Sequence, residues 1–374
     1  MTAAGTAPGI TGLLLEELRP YPGRNATVVR MVVASLITII IVMTFRIPYA
    51  FLGVFNAFVI SRQRPEWIVR NGPAAAIASV AAVAYVATGV NLFYDYQVLH
   101  FVFLLASLYL VFYLKRALTN DSVTFGFGVT AVVAMTLLWD RPYPAEANLA
   151  STISLSFVVM LGTLTAMATA WVALELDRKT APPNAAGMVS AEAVPPLLAA
   201  DAFSNREYTR YALGGCLAGA LCYFVDSGLA WPVIMGACAE TCIVSARPVS
   251  SAAGSATERF LVGVTALLIG GAILGLGSLA LVLPSLDSIT GFTLQFAAIA
   301  SAAAWVATSS PRLAYAGTLG AMGYFFPLVQ RFGPDVSLVR SSAFYGDLLL
   351  ALAAFWLVFD NGLGLPWGRE WRTN

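Results

Sequence analysis

Long apolar runs recur from one end of this chain to the other, each bounded by short stretches that carry charge, proline or asparagine. A hydrocarbon core needs roughly 20 apolar residues per helical crossing, and runs of this kind read as membrane spans. They fall near 28–45, 48–61, 72–92, 98–114, 122–139 and 151–174, then near 209–227, 231–245, 260–283, 291–308, 313–329 and 341–359. The pattern predicts an all-α, polytopic membrane protein of about 12 transmembrane helices.

Composition supports lipid as the solvent of this fold, since 59% of the 374 residues are hydrophobic and only 11% are charged. The formal net charge of +1 offers no field for nucleic acid or an anionic surface. Residues 1–27 lack a basic start followed by an apolar core. They set Glu16 and Glu17 beside Ile10, Leu13, Leu14, Leu15 and Leu18, which predicts an amphipathic segment on the cytoplasmic face and no signal peptide. The four cysteines, Cys216, Cys222, Cys238 and Cys242, lie inside apolar runs and give no disulfide framework. Cys238 and Cys242 share a helix face, but nothing completes a soft-metal site, so packing is the expected role and no metal or cofactor is predicted.

Charge also predicts orientation. Twelve alternating spans with a cytoplasmic N-terminus leave only Arg46, Arg141, Arg331 and Arg340 outside, and return a cytoplasmic tail at 361–374.

A second layer of order is repetition. Pro48, Asn56 and Ser61 are matched by Pro232, Glu240 and Ser245, all 184 positions later; Arg30 is matched by Arg210, and Trp171 with Glu175 by Trp356 with Asp360. Two six-helix repeats, 28–174 and 209–360, follow from this, joined by a proline-bearing cytoplasmic linker at 175–208 that is expected to pack poorly. Six spans per half is an even number, so the repeats are parallel and their pseudo-twofold axis runs along the membrane normal. Gly215 with Gly219, and Gly271 with Gly275, have the spacing of close helix packing.

The second span of each half carries the most chemical information. From Pro48 to Ser61 there are 14 residues, too few for the full core, and Pro232 opens the matching run. Proline suits the first position of a helix, whose N–H groups would then face a cavity with a positive dipole end, a setting for an anion near mid-membrane. Arg46 stands just before the first of these helices, and Tyr49, Phe55 and Trp231 could flank an aromatic ring. An interfacial arginine reaching for headgroups is the competing reading of Arg46.

Glu240 sits mid-run among apolar residues, so it must face a cavity, find a partner or hold a proton; its counterpart Asn56 cannot ionise. Asp347 is the other deep acid, with a pairing to Arg340 as its simpler role. Asp226 reads as interfacial near the outer end of its span, and the sole histidine, His100, as a packed residue that could relay a proton. No glycine-rich run leads into Lys and Ser or Thr, so ATP hydrolysis is not expected, and the deep acids lack the neighbours of an enzyme site.

The opening ELRPYPGR, the first span with Arg30 near its start, and IPYA leading into a short helix that ends FVISRQRP resemble the fusaric acid resistance family, the group that includes bacterial aromatic carboxylic acid exporters. The layout is also similar to plant aluminium-activated malate transporters, whose six-helix subunits pair around an anion pathway. The resemblance implies export of aromatic or other organic acids across the inner membrane, often beside a periplasmic adaptor and an outer-membrane channel. Many relatives carry a large soluble domain after a six-helix block, where this chain has a 34-residue linker, so regulation through such a domain is not expected. A proton-coupled exporter is the first reading. A passive anion channel or uniporter, and a non-transporting scaffold of an envelope complex, stand as alternatives, and a homo-oligomer is compatible with each.

Overall fold

A computed structural model describes residues 18–19, 21–93, 95–118, 145–180, 198–229, 256–286, 288–329 and 338–359, with five scattered positions between 127 and 134. Ten α-helices make up almost all of it: α1 (Arg24–Thr44), α2 (Ala50–Ile60), α3 (Pro65–Phe93), α4 (Gln97–Ala117), α5 (Ala145–Thr180), α6 (Arg206–Leu229), α7 (Ala256–Leu267), α8 (Ile289–Ala307), α9 (Pro311–Leu328) and α10 (Leu338–Phe359). Among the described residues there is no strand, only one isolated bridge between Leu118 and Leu198. Among the described residues seven segments are long and apolar enough to cross a membrane, the fifth of them being α7 with its continuation to Ser285. The chain is a multi-pass helical membrane protein.

The helices start where local chemistry allows. Pro65 opens α3 with Glu66 in its first turn, where a missing N–H costs nothing and a negative charge meets the positive end of the dipole. Ser288 and Ser310 cap α8 and α9 through hydroxyls that accept from the N–H groups of Gly291 (3.1 Å) and Leu313 (3.4 Å). On α1 the apolar residues Val29, Val33, Ile37 and Ile40 are exposed, while Met31, Ala34, Ile39 and Val42 are fully buried. An exposed apolar stripe of this kind satisfies lipid, and it recurs on α5 at Leu149, Ile153 and Phe157.

The packing crosses between the two sequence halves in a reciprocal way. Helix α1 packs on α5 of its own half and on α8 of the other; α6 packs on α10 of its own half and on α4 of the other. The residues leading into α1 and α6 are also tied down reciprocally. The Tyr21 hydroxyl donates to the Thr308 carbonyl (3.1 Å) beyond α8, and Arg24 donates to Thr308 Oγ1 (3.2 Å) and to the Trp305 carbonyl, with its guanidinium 4.0 Å from the Trp305 ring centroid. On the other side the Tyr113 hydroxyl of α4 donates to the Ala202 carbonyl (2.5 Å), and the Ala199 N–H donates to the Ala117 carbonyl (2.8 Å).

These contacts correct one expectation. The described end of the 175–208 linker is docked, with Ala202 buried, because its backbone groups find partners on α4. Helix α5 also runs on to Thr180, so the linker's first residues are helical, and α1 begins at Arg24, inside the predicted N-terminal segment. The fifth predicted span (122–139) lies largely outside the described residues, and the eighth (231–245) entirely so.

Helix α7 continues as π-helix over Leu268–Leu276 and Ser278–Val282, then ends in a 3₁₀ turn at Leu283–Ser285. A Cβ at Gly270 would lie 2.5 Å from Gly320 Cα, so two backbones touch where α9 crosses the π segment. The predicted glycine pairs instead make room for side chains of neighbouring helices. Gly271 and Gly275 receive the ring and hydroxyl of Tyr345, and Gly215 and Gly219 receive Phe112 and Leu108.

Candidate functional site

The short second helix is present and unusual. Helix α2 has 11 residues, about 16 Å at the helical rise, and every one of them is buried. A helix facing acyl chains would expose a stripe; this one is enclosed by α1, α5 and α9.

Its start differs from expectation. Pro48 is not the first helical residue but lies in a turn between Arg46 (φ 51°) and Tyr49 (φ 63°), both left-handed and neither a glycine. Each such residue costs on the order of 1 kcal/mol, and strained non-glycine positions of this kind cluster at functional sites. The turn leaves Arg46 exposed and delivers Tyr49 as N-cap, its hydroxyl donating to Ser151 Oγ on α5 (3.2 Å). The first-turn N–H groups are also less open than predicted. Phe51 donates to the Val329 carbonyl just past α9 (2.9 Å), and Leu52 donates to the Tyr49 carbonyl (3.1 Å).

Three devices fix the helix in place. Asn56 donates through Nδ2 to the Val159 carbonyl and to Thr163 Oγ1, each at 2.9 Å, so this predicted site residue is a bridge to α5. Gly53 and Gly162 bring the same two backbones together, since a Cβ at Gly162 would stand 2.2 Å from the Gly53 carbonyl oxygen. Arg30 holds the other end: it is buried and donates to the carbonyls of Ser61 (3.1 and 2.9 Å) and Gln63 (2.6 Å). A cation on the last carbonyls of a helix complements the dipole, which gives Arg30 a capping role on α2.

Other predicted residues lie on other helices. Asp347 is fully buried in α10 and His100 is buried near the start of α4. Arg210 is exposed in the first turns of α6, where Cys216 directs its thiol to the Leu105 carbonyl (3.5 Å). Trp231, Pro232, Glu240, Cys238 and Cys242 lie outside the described residues, as do the side chains of Asp226 and Arg340. The predicted meeting of the two short helices therefore falls outside the described residues too. Among the described residues no cluster of His, Cys, Asp and Glu could hold a metal ion.

An aromatic seam joins α2 to the C-terminal half, and sequence reasoning missed it. Phe51 meets Phe326 edge-on with ring centroids 4.8 Å apart, Phe58 meets Phe325 at 5.3 Å, and Phe326 stacks on Phe344 at an interplanar angle of 4°. The adjacent pair Phe325–Phe326 just before Pro327 was the available signal.

Comparison with known proteins gives a partial match. Over 167 residues the chain is 36% identical to the multidrug resistance protein MdtO of Escherichia coli K12, a stretch amounting to 44% of this chain and 23% of that protein. Over 149 residues it is 37% identical to MdtO of Shigella flexneri, covering 40% of this chain and 21% of that protein. The match thus spans under about a quarter of the length of these curated relatives. No family model and no solved structure matches the chain. Over less than half its length, then, this membrane protein is similar to bacterial multidrug resistance proteins.

Proposed function

We propose that the chain is a secondary exporter of small organic acids, aromatic carboxylates among them, that passes solute along α2 between two six-helix halves in the inner membrane. The observation that carries this reading is a helix too short to span, buried on every side, and introduced by two left-handed residues with a free-standing cation between solvent and the helix start. Strain is kept where it aims something, and here it aims Arg46 outward and the helix inward. The relatives' name, which states multidrug resistance, agrees with export as the direction of flux. The reciprocal packing of α1 on α8 and α6 on α4 supports the two-half organisation.

In this reading Arg46, Pro48, Tyr49 and the counterparts Trp231 and Pro232 receive the carboxylate and ring. Asn56 and Arg30 position α2, and Glu240 with Asp347 carries the coupled proton. Arg210, His100 and Asp226 stand near the ends of the route. Any adaptor or outer-membrane channel would join from outside the bilayer. The test is efflux of labelled hydroxybenzoate from proteoliposomes. Arg46→Ala is expected to raise the half-saturating concentration at least several-fold, and an unchanged value would remove Arg46 from the site.

A further inference from the structure

We propose that Phe326 is the ring that closes the seam between the two halves, and that it withdraws beside Pro327, where the last turns of α9 lack one helical bond, to let solute pass; this rests on the transport reading above. Phe326 stands where three elements converge. Its ring has Phe51 of α2 edge-on at 4.8 Å and Phe344 of α10 stacked on its face. The neighbouring Phe325 is fully buried against Phe58 and Phe296, whereas Phe326 is only partly buried. One ring is fully enclosed and the next keeps a partly open side.

The backbone around Phe326 lacks one helical hydrogen bond. Pro327 has no N–H, so the carbonyl of Gly323, four residues earlier, loses its helical donor and instead accepts the Tyr345 hydroxyl at 2.8 Å. Two residues after Pro327 the Val329 carbonyl accepts the Phe51 N–H. Phe326 is therefore held between two bonds to other helices and not within an unbroken ladder. The ring contacts are apolar and non-directional, so sliding one ring out breaks no hydrogen bond. Asp347 lies one turn along α10 from Phe344 and on the same side, so the ring that Phe326 covers shares a helix side with the buried acid.

Two measurements in proteoliposomes test this. Phe326→Ala is expected to raise passive leak of preloaded hydroxybenzoate about tenfold over wild type, whereas Phe326→Trp leaves the leak at the wild-type level. Independently, a Phe51→Cys and Phe326→Cys pair is expected to lose efflux on oxidation and regain it with reductant, with wild type carried through the same oxidant. If Phe326→Ala leaks no more than wild type, or the oxidised pair still transports at its reduced rate, the gate is overturned while wild-type transport stands. A wild type that carries no hydroxybenzoate under any condition overturns the transport reading and the gate with it.

Discussion

The Tyr345 hydroxyl donates to the carbonyl of Gly323, 2.8 Å away on the neighbouring helix, and that carbonyl is the one Pro327 leaves without its helical donor. A defect in one span is repaired by a side chain from another, as lipid requires when no water can serve a stranded carbonyl. Gly271 and Gly275 make the room for Tyr345 to reach it.

Removing the donor with Tyr345→Phe should therefore lower stability by roughly 1–2 kcal/mol, because a buried acceptor is left unserved. Pro327→Ala restores the helical donor. The double variant should recover most of the loss, measured as the melting temperature of the purified protein in detergent; strictly additive effects would contradict the repair.

Gly162→Ala should separate α2 from α5, since the new methyl would meet the Gly53 carbonyl and backbone cannot swing aside. A loss of about 2 kcal/mol or more is expected, at the upper end of overpacking. Gly277→Ala has open space around it and serves as the tolerated control.

Arg30→Ala should loosen the end of α2 by roughly 2–3 kcal/mol through lost charge-assisted bonds. Arg30→Lys should recover only part of this, because one ammonium cannot reproduce the fork that engages Ser61 and Gln63 together. Faster amide exchange across residues 61–63 in both variants would verify it.

Ahead of α6 the Asp201 carboxylate accepts from Asn205 (2.8 Å) and the Tyr208 hydroxyl (2.9 Å), and these bonds hold it below the usual 3.8. A depressed carboxyl stabilises the fold above its unfolded value and loses that contribution as pH falls through the folded one. Exchange protection of residues 201–208 should drop in that acidic window in wild type and show no such step in Asp201→Asn. Asp201 is solvent-exposed, so the effect is local.

Much of this architecture was legible in the sequence because lipid enforces a simple rule. Spans predicted at 72–92 and 291–308 appear as Pro65–Phe93 and Ile289–Ala307, and the shortness of the second helix followed from its apolar length. The start of α2 was not legible. Proline at 48 suggested a first helical residue, and only the paired left-handed turn at Arg46 and Tyr49 moves that start to Ala50. Asn56 was legible as a polar residue in an apolar run but not as a bridge, because Val159 and Thr163 lie over a hundred positions away. The aromatic seam was hidden for the same reason. Phe51, Phe326 and Phe344 look like ordinary apolar residues until the halves are brought together.

The most direct test of the transport account is efflux of labelled hydroxybenzoate from proteoliposomes with and without an imposed pH gradient, in wild type and in Glu240→Gln. Gradient-stimulated efflux is expected in wild type, and none of that stimulation in the variant. Stimulation that survives in Glu240→Gln would contradict the coupling, and wild-type flux indifferent to pH would mark a passive anion pathway instead.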